Sequence, residues 1–186
     1  NGFSIDGMYC AAMEINGGGT SLNNATCRTT IGFNYINYLN FNCILGGEFN
    51  FTTRVIDTAS ITCGDTVINR HTYVFFNGTR IIRQTIVAGH GGASTQYYLY
   101  IYFRGCQLSS GSVDRSGASL DYSLGIWSHL YAKVCLENCA INSRYTSQCG
   151  VKFLAVNTNS TLSMALTKVI STAASIYNPG TNVMTV

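Results

Sequence analysis

Gln96-Tyr97-Tyr98-Leu99-Tyr100-Ile101-Tyr102-Phe103-Arg104-Gly105-Cys106 is the stretch whose reading decides the fold. In an extended chain successive side chains point to opposite faces. Tyr97, Leu99, Ile101 and Phe103 then form one apolar face, backed by Tyr98, Tyr100, Tyr102 and Arg104. β-Branched and aromatic residues suit a pleated surface, and the alternation has period two rather than 3.6. A strand apolar on one side and aromatic on the other is central in a β fold or covered by another chain. Gly105 ends the run.

The flanking sequence repeats this alternation. Phe33, Tyr35, Leu39, Phe41 and Cys43 share one parity and Asn34, Asn40 and Asn42 the other, with Asn37 interrupting the apolar side. Gly46-Gly47 precedes a run in which Phe49, Phe51 and Val55 point in and Glu48, Asn50, Thr52 and Arg54 point out, which reads as a hairpin. Asn77-Gly78 joins His71–Phe76 to Thr79–Val87 and reads as a second hairpin, since both residues tolerate positive φ. Gln107 to Leu120 is rich in Ser and Gly and reads as a long loop. Thr161 to Ala174 fits both a helical and a strand period, with a lean to strand. The resulting expectation is an all-β chain: an antiparallel β-sandwich or jelly roll, stapled by disulfides, admitting one short helix within 161–174. Residues 1–19, ending in the Gly17-Gly18-Gly19 hinge, read as an N-terminal segment able to donate a strand. Residues 20–186 read as a single sandwich domain.

Composition points to a compartment. Hydrophobic residues make up 46% of the 186-residue chain and charged residues only 10%, against roughly 25% in an average soluble protein. The eight cysteines are Cys10, Cys27, Cys43, Cys63, Cys106, Cys135, Cys139 and Cys149, an even count without zinc or haem spacing. They are expected to be paired. Asn24, Asn50, Asn77 and Asn159 each head a glycosylation sequon. Together these features predict an exported chain carrying N-linked glycans, at the cell or virion surface or beyond it. No signal peptide is visible at Asn1, so the chain reads as mature, and it has no apolar run of membrane-spanning length.

Motifs of chemistry are sparse. Gly89-His90-Gly91-Gly92 resembles an oxyanion loop, but the nucleophile elbow that such a loop serves is missing, so it reads as a turn. His71 and His129 stand apart from it. The eight carboxylates are scattered, and no P-loop, dinucleotide fingerprint or EF-hand occurs. No cofactor, metal ligand or catalytic residue is assigned, and the chain is not expected to be an enzyme. The net charge of +3 comes without a basic run, so nucleic acid is not expected as a partner. A secreted hydrolase is a third reading that lacks a motif, and two function classes stand ahead of it. One is a structural subunit that assembles with copies of itself by strand addition, using Phe3, Ile5 and Met8 from the N-terminal segment and the tyrosines Tyr98, Tyr100 and Tyr102 as interface. The other is a receptor- or carbohydrate-binding domain in which the tyrosine ladder is a stacking platform.

Overall fold

The computed structural model describes residues 2–17, 28–43, 47–63, 71–89, 99–128, 132–155, 161–177 and 183–185. The strands are β1 (Gly2–Cys10), β2 (Met13–Gly17), β3 (Arg28–Cys43), β4 (Gly47–Phe51), β5 (Val55–Cys63), β6 (Thr72–Asn77), β7 (Arg80–Gly89), β8 (Leu99–Arg104) and β9 (Gln107–Ser109). They continue with β10 (Tyr122–Ser128), β11 (Ala132–Glu137), β12 (Ala140–Asn142), β13 (Cys149–Ala155), β14 (Thr161–Ala165), β15 (Lys168–Ile170), β16 (Ile176–Tyr177) and β17 (Val183–Thr185). The described residues contain no helix.

All 17 strands belong to one hydrogen-bonded sheet, and its strand pairings are parallel. The chain winds rather than folding back. β4, β6, β8, β11 and β14 pair in series to make a first face. The start of β7 then pairs with β9, β9 with β12, and β12 with β15, to make a second. The ends of β3, β5 and β7 pair in series with β10, β13 and β16 to make a third. Phe41 on the third face meets Phe49 and Phe51 on the first, at 4.8 and 6.2 Å between ring centroids, so the two faces pack across a shared core. This is a parallel β-solenoid, in which each coil rests on its neighbours.

In-register stacking turns the strand alternation into columns. Ile31, Phe51, Phe76, Phe103, Leu136 and Met164 occupy one inward column. Phe49, Val74, Ile101, Val134 and Leu162 occupy the next. All belong to or pack on one buried cluster. Phe51, Phe76 and Phe103 stack nearly parallel, 4.7 and 5.1 Å apart.

The corner after the first face repeats a local motif. Gly78, Gly105, Asn138 and Leu166 have φ of 66°, 60°, 52° and 50°. The residues that follow the first three, Thr79, Cys106 and Cys139, are buried against the core, and Thr167 after Leu166 is half-buried. Backbone bonds continue the ladder through the bend, from Gly78 N to Arg104 O at 2.8 Å, Gly105 N to Glu137 O at 2.9 Å and Asn138 N to Ala165 O at 2.9 Å. A left-handed residue reverses the chain direction sharply, which costs an L-residue about 1–2 kcal/mol and glycine little. Leu166 takes that cost with its side chain 87% exposed. Leu166→Gly is therefore expected to raise the denaturation midpoint, by up to about 1 kcal/mol once the greater freedom of glycine in the unfolded chain is subtracted. A lowered midpoint in a urea titration would contradict this account of the corner.

Three sequence expectations are corrected. The fold is not an antiparallel sandwich or jelly roll. Gly47 opens β4, and Asn77-Gly78 marks a corner from which the chain runs on to a new face, so β6 pairs with β4 and β8 instead of β7. A side chain alternates the same way whether its neighbour runs parallel or antiparallel, so the pattern could not tell these apart. The second correction concerns only the short helix admitted within 161–174: the lean to strand holds, and the segment carries β14 and β15 with no helix. The third concerns the disulfides: Cys10, Cys106, Cys135, Cys139 and Cys149 carry free thiols. Cys27 lies outside the described residues, as do the side chains of Cys43 and Cys63. Cys135 faces outward on β11 while Cys139 turns inward at the corner, so these two thiols, four residues apart, point away from each other and are both free. Cys106 and Cys139 fill successive corners, their thiols donating to Phe76 O and Phe103 O at 3.2 Å each. Buried thiols of this kind serve as small apolar fillers. The hydrogen bond to Cys139, reinforced by burial, pushes the Cys106 thiol far above its ordinary range, so it stays protonated.

Candidate functional site

The outward columns of the first face carry the chemistry. Their inward partners, Val74, Phe76, Ile101 and Phe103, are fully buried, so the outward side chains stand on a rigid base. Tyr73 and Tyr100 are in register on β6 and β8, and so are Phe75 and Tyr102. Both pairs stack with centroids 4.9 Å apart and ring planes 13° and 10° from parallel. Aromatic carbons touch at about 3.5–4.0 Å. Nearly parallel rings whose centres are 4.9 Å apart are therefore close to contact, at the spacing of the strands that carry them. Stacked aromatic pairs are worth about 0.5–1.5 kcal/mol beyond area burial. His71 approaches Tyr100 and Tyr73 edge-on, at 5.4 and 6.2 Å.

Polar groups ring this aromatic patch. Arg104 lies over both Phe75 and Tyr102, at 5.3 and 5.4 Å from the centroids, and pairs with Glu137 at 3.4 Å. Lys133 lies 5.4 Å from the Tyr100 ring. On the other side Arg28 pairs with Glu48 at 3.3 Å, and Asn50 Nδ2 donates to Glu48 Oε1 at 3.1 Å. Burial, then the nearby Cys135 thiol, raises the Tyr102 pKa, so its hydroxyl remains a neutral donor and acceptor. The patch thus combines apolar ring surface with planar donors and acceptors at its margin.

The expected site residues are distributed unevenly. Tyr100 and Tyr102 lie in the patch, and Tyr98 lies outside the described residues. Ile5 and Met8 are 42% and 75% exposed on β1, which pairs in parallel register with β3 of its own chain. Phe3 belongs to the same strand, with its side chain outside the described set. The Gly17-Gly18-Gly19 hinge is described only at Gly17, which ends β2. Of the sequons, Asn50 sits beside the patch in the outward column of Phe75 and Tyr102. Asn77 is exposed at the end of β6, and Asn24 and Asn159 lie outside the described residues. His90, His129 and Asp65 do too. Among the described carboxylates, Asp57 pairs with Arg83 at 2.8 Å and Asp121 with Lys152. Asp114 accepts from Ser116 N, Ser116 Oγ and Ala118 N in a loop turn that lowers its pKa.

The sequence reading missed Tyr73, Phe75 and His71 as partners of the tyrosine strand. A signal was present: Thr72-Tyr73-Val74-Phe75-Phe76-Asn77-Gly78-Thr79 aligns with Leu99-Tyr100-Ile101-Tyr102-Phe103-Arg104-Gly105-Cys106 position by position. Internal self-similarity of this kind marks stacked repeats. Neither a protein-family model, a curated protein nor a solved structure matches the chain.

Proposed function

We propose that the chain is a carbohydrate-binding domain of a surface or secreted protein, and that the aromatic face is its binding platform. The observation that carries this reading is the pair of ring stacks, Tyr73–Tyr100 and Phe75–Tyr102, on a rigid face bordered by Asn50, His71, Lys133 and Arg104. A pyranose ring presents weakly positive C–H bonds on one face and hydroxyls around its edge. The negative faces of aromatic rings attract the first, and planar amide, guanidinium and carboxylate groups bind the second. A flat sheet face suits an extended glycan, since successive rings repeat at the strand spacing of about 4.8 Å. The surface location is inferred from the sequons and the low charge, since the described thiols are unpaired and lend it no support.

Tyr100→Ala and Tyr102→Ala, each truncating an outward ring without touching the core, test the platform. Against a panel of neutral oligosaccharides, each variant is expected to weaken binding about tenfold or more, the scale of a central aromatic contact. Full retention of glycan binding by the double variant, with an unchanged melting curve, would refute the platform.

A second reading, assembly of copies by strand addition, is favoured by one observation. Among the described residues β1 pairs only with β3, and it exposes Ile5, Met8 and Tyr9. An unpaired edge of this kind is a template for another strand. Sedimentation of the same samples across concentrations separates the readings, because strand addition demands growth with concentration and glycan binding does not.

A further inference from the structure

The second face holds a feature that the platform does not use. Arg28, Arg83 and Arg104 each pair with a carboxylate, and Arg115 lies 4.4 Å from the Tyr38 ring centroid. Arg54, Arg80 and Arg144 are exposed, and among the described residues no carboxylate lies within ion-pair distance of them. All three line the same groove. One hollow of about 320 Å³ is walled by Arg80, Arg144, Tyr145, Ser109 and Ser110. A second, of about 450 Å³, is walled by Arg54, Arg80, Asn34 and Gln107. Arg80 and Val55 belong to both, so the hollows are continuous. Asp57, two residues on from the groove's Val55, is buried and already held by Arg83.

The groove is built rather than incidental. Gln148 lies beneath it, fully buried, and its carboxamide uses all four hydrogen-bonding positions. Nε2 donates to Gly111 O and Leu120 O at 2.8 Å each, and Oε1 accepts from Ser110 Oγ and Tyr145 N. Ser110, Gly111 and Tyr145 are groove walls. Arg54 and Arg80 lie on successive coils, joined by Arg80 N to Arg54 O at 3.0 Å. Arg144 lies on the second coil beyond Arg80, about 10 Å along the axis at the strand spacing.

We infer that this groove binds an acidic polysaccharide, with Arg54, Arg80 and Arg144 taking sulfate or carboxylate groups on neighbouring sugars and Asn34, Gln107 and Ser109 taking hydroxyls. Guanidinium groups bind such anions through two parallel hydrogen bonds. A nucleic acid fits less well, because the groove offers one aromatic ring, Tyr145, where single strands need a series of stacking surfaces. The site lies round the Gly78–Gly105 corner from the platform and needs none of its rings.

Affinity electrophoresis of the full chain through dextran sulfate, polygalacturonate, unsubstituted dextran and a single-stranded oligodeoxynucleotide tests the groove. At least one acidic polysaccharide is expected to retard the protein, less so as salt rises. Arg80→Gln should weaken that retardation about ten- to a hundredfold, the scale of a charge-assisted contact. Arg115→Gln, outside the groove, should leave it unchanged. The inference is overturned if neither acidic polysaccharide binds, if the Arg54→Gln/Arg80→Gln/Arg144→Gln variant binds as the wild type does, or if the oligodeoxynucleotide binds more tightly than both. Loss of neutral-glycan binding alone would remove the platform and leave the groove standing.

Discussion

Phe76→Ala is expected to cost about 3–5 kcal/mol, as buried phenylalanine truncations do, whereas Phe75→Ala one residue earlier should cost about 1 kcal/mol. Phe76 is fully buried and sandwiched between Phe51 and Phe103, so its removal opens a cavity with an aromatic wall above and below. Phe75 points outward, and its removal loses only the stack with Tyr102 and the cover of Arg104. Adjacent residues of the same type thus differ several-fold because they face opposite ways. The contrast is sharpened by the architecture. In a solenoid each coil is held by its neighbours, so a cavity in a middle coil weakens two interfaces together. Against a typical total of about 5–15 kcal/mol, the inward variant should lie near the limit of folding. Urea midpoints for the two variants check this, and equal shifts would mean that the inward column is not the core.

Gln148→Leu is expected to cost about 2–5 kcal/mol, although it keeps the volume and adds apolar character. Leucine fills the space but answers none of the four partners that the carboxamide holds. Ser110 Oγ, Tyr145 N, Gly111 O and Leu120 O would be left to find water or stay unpaired. Each buried polar group left alone costs about 1–3 kcal/mol, with solvent recovering part of the sum. The loss should also be local. The chain between β9 and β10 is otherwise tied by a few bonds, among them Leu120 N to Ser112 O at 3.0 Å and Gly111 N to Arg83 O at 2.8 Å. Limited proteolysis should therefore cut the variant between Ser110 and Asp121 faster than the wild type. Because Ser110, Gly111 and Tyr145 wall the basic groove, acidic polysaccharide should also bind the variant more weakly. A variant as stable and protease-resistant as the wild type would show that the carboxamide is not the anchor of this loop.

What the sequence by itself determined is the local part. The inward parity of Leu99, Ile101 and Phe103 and the outward parity of Tyr100 and Tyr102 hold in β8. So do the inward Phe49 and Phe51 on β4, the strand state of Thr161–Ala165 and the end of β8 before Gly105. These follow from side-chain direction and from the freedom of glycine at positive φ, and neither needs knowledge of a neighbour.

The direction of pairing was decided only by the tertiary structure. Phe51, Phe76, Phe103 and Leu136 share a column although the intervals between them differ, because the stretches of sequence between the paired strands differ in length. That inequality hid the repeat, and corners such as Asn77-Gly78 carry residues that hairpin turns also use. The fate of the thiols was likewise tertiary, since an even count of cysteines says nothing about which way each sulfur points. The candidate surfaces belong to the same class. Tyr73 meets Tyr100, and Arg54 and Arg80 reach the groove of Arg144, only because the coils stack in register. Pairing between distant segments is fixed by the packing of the whole core, and no local window of the chain contains it.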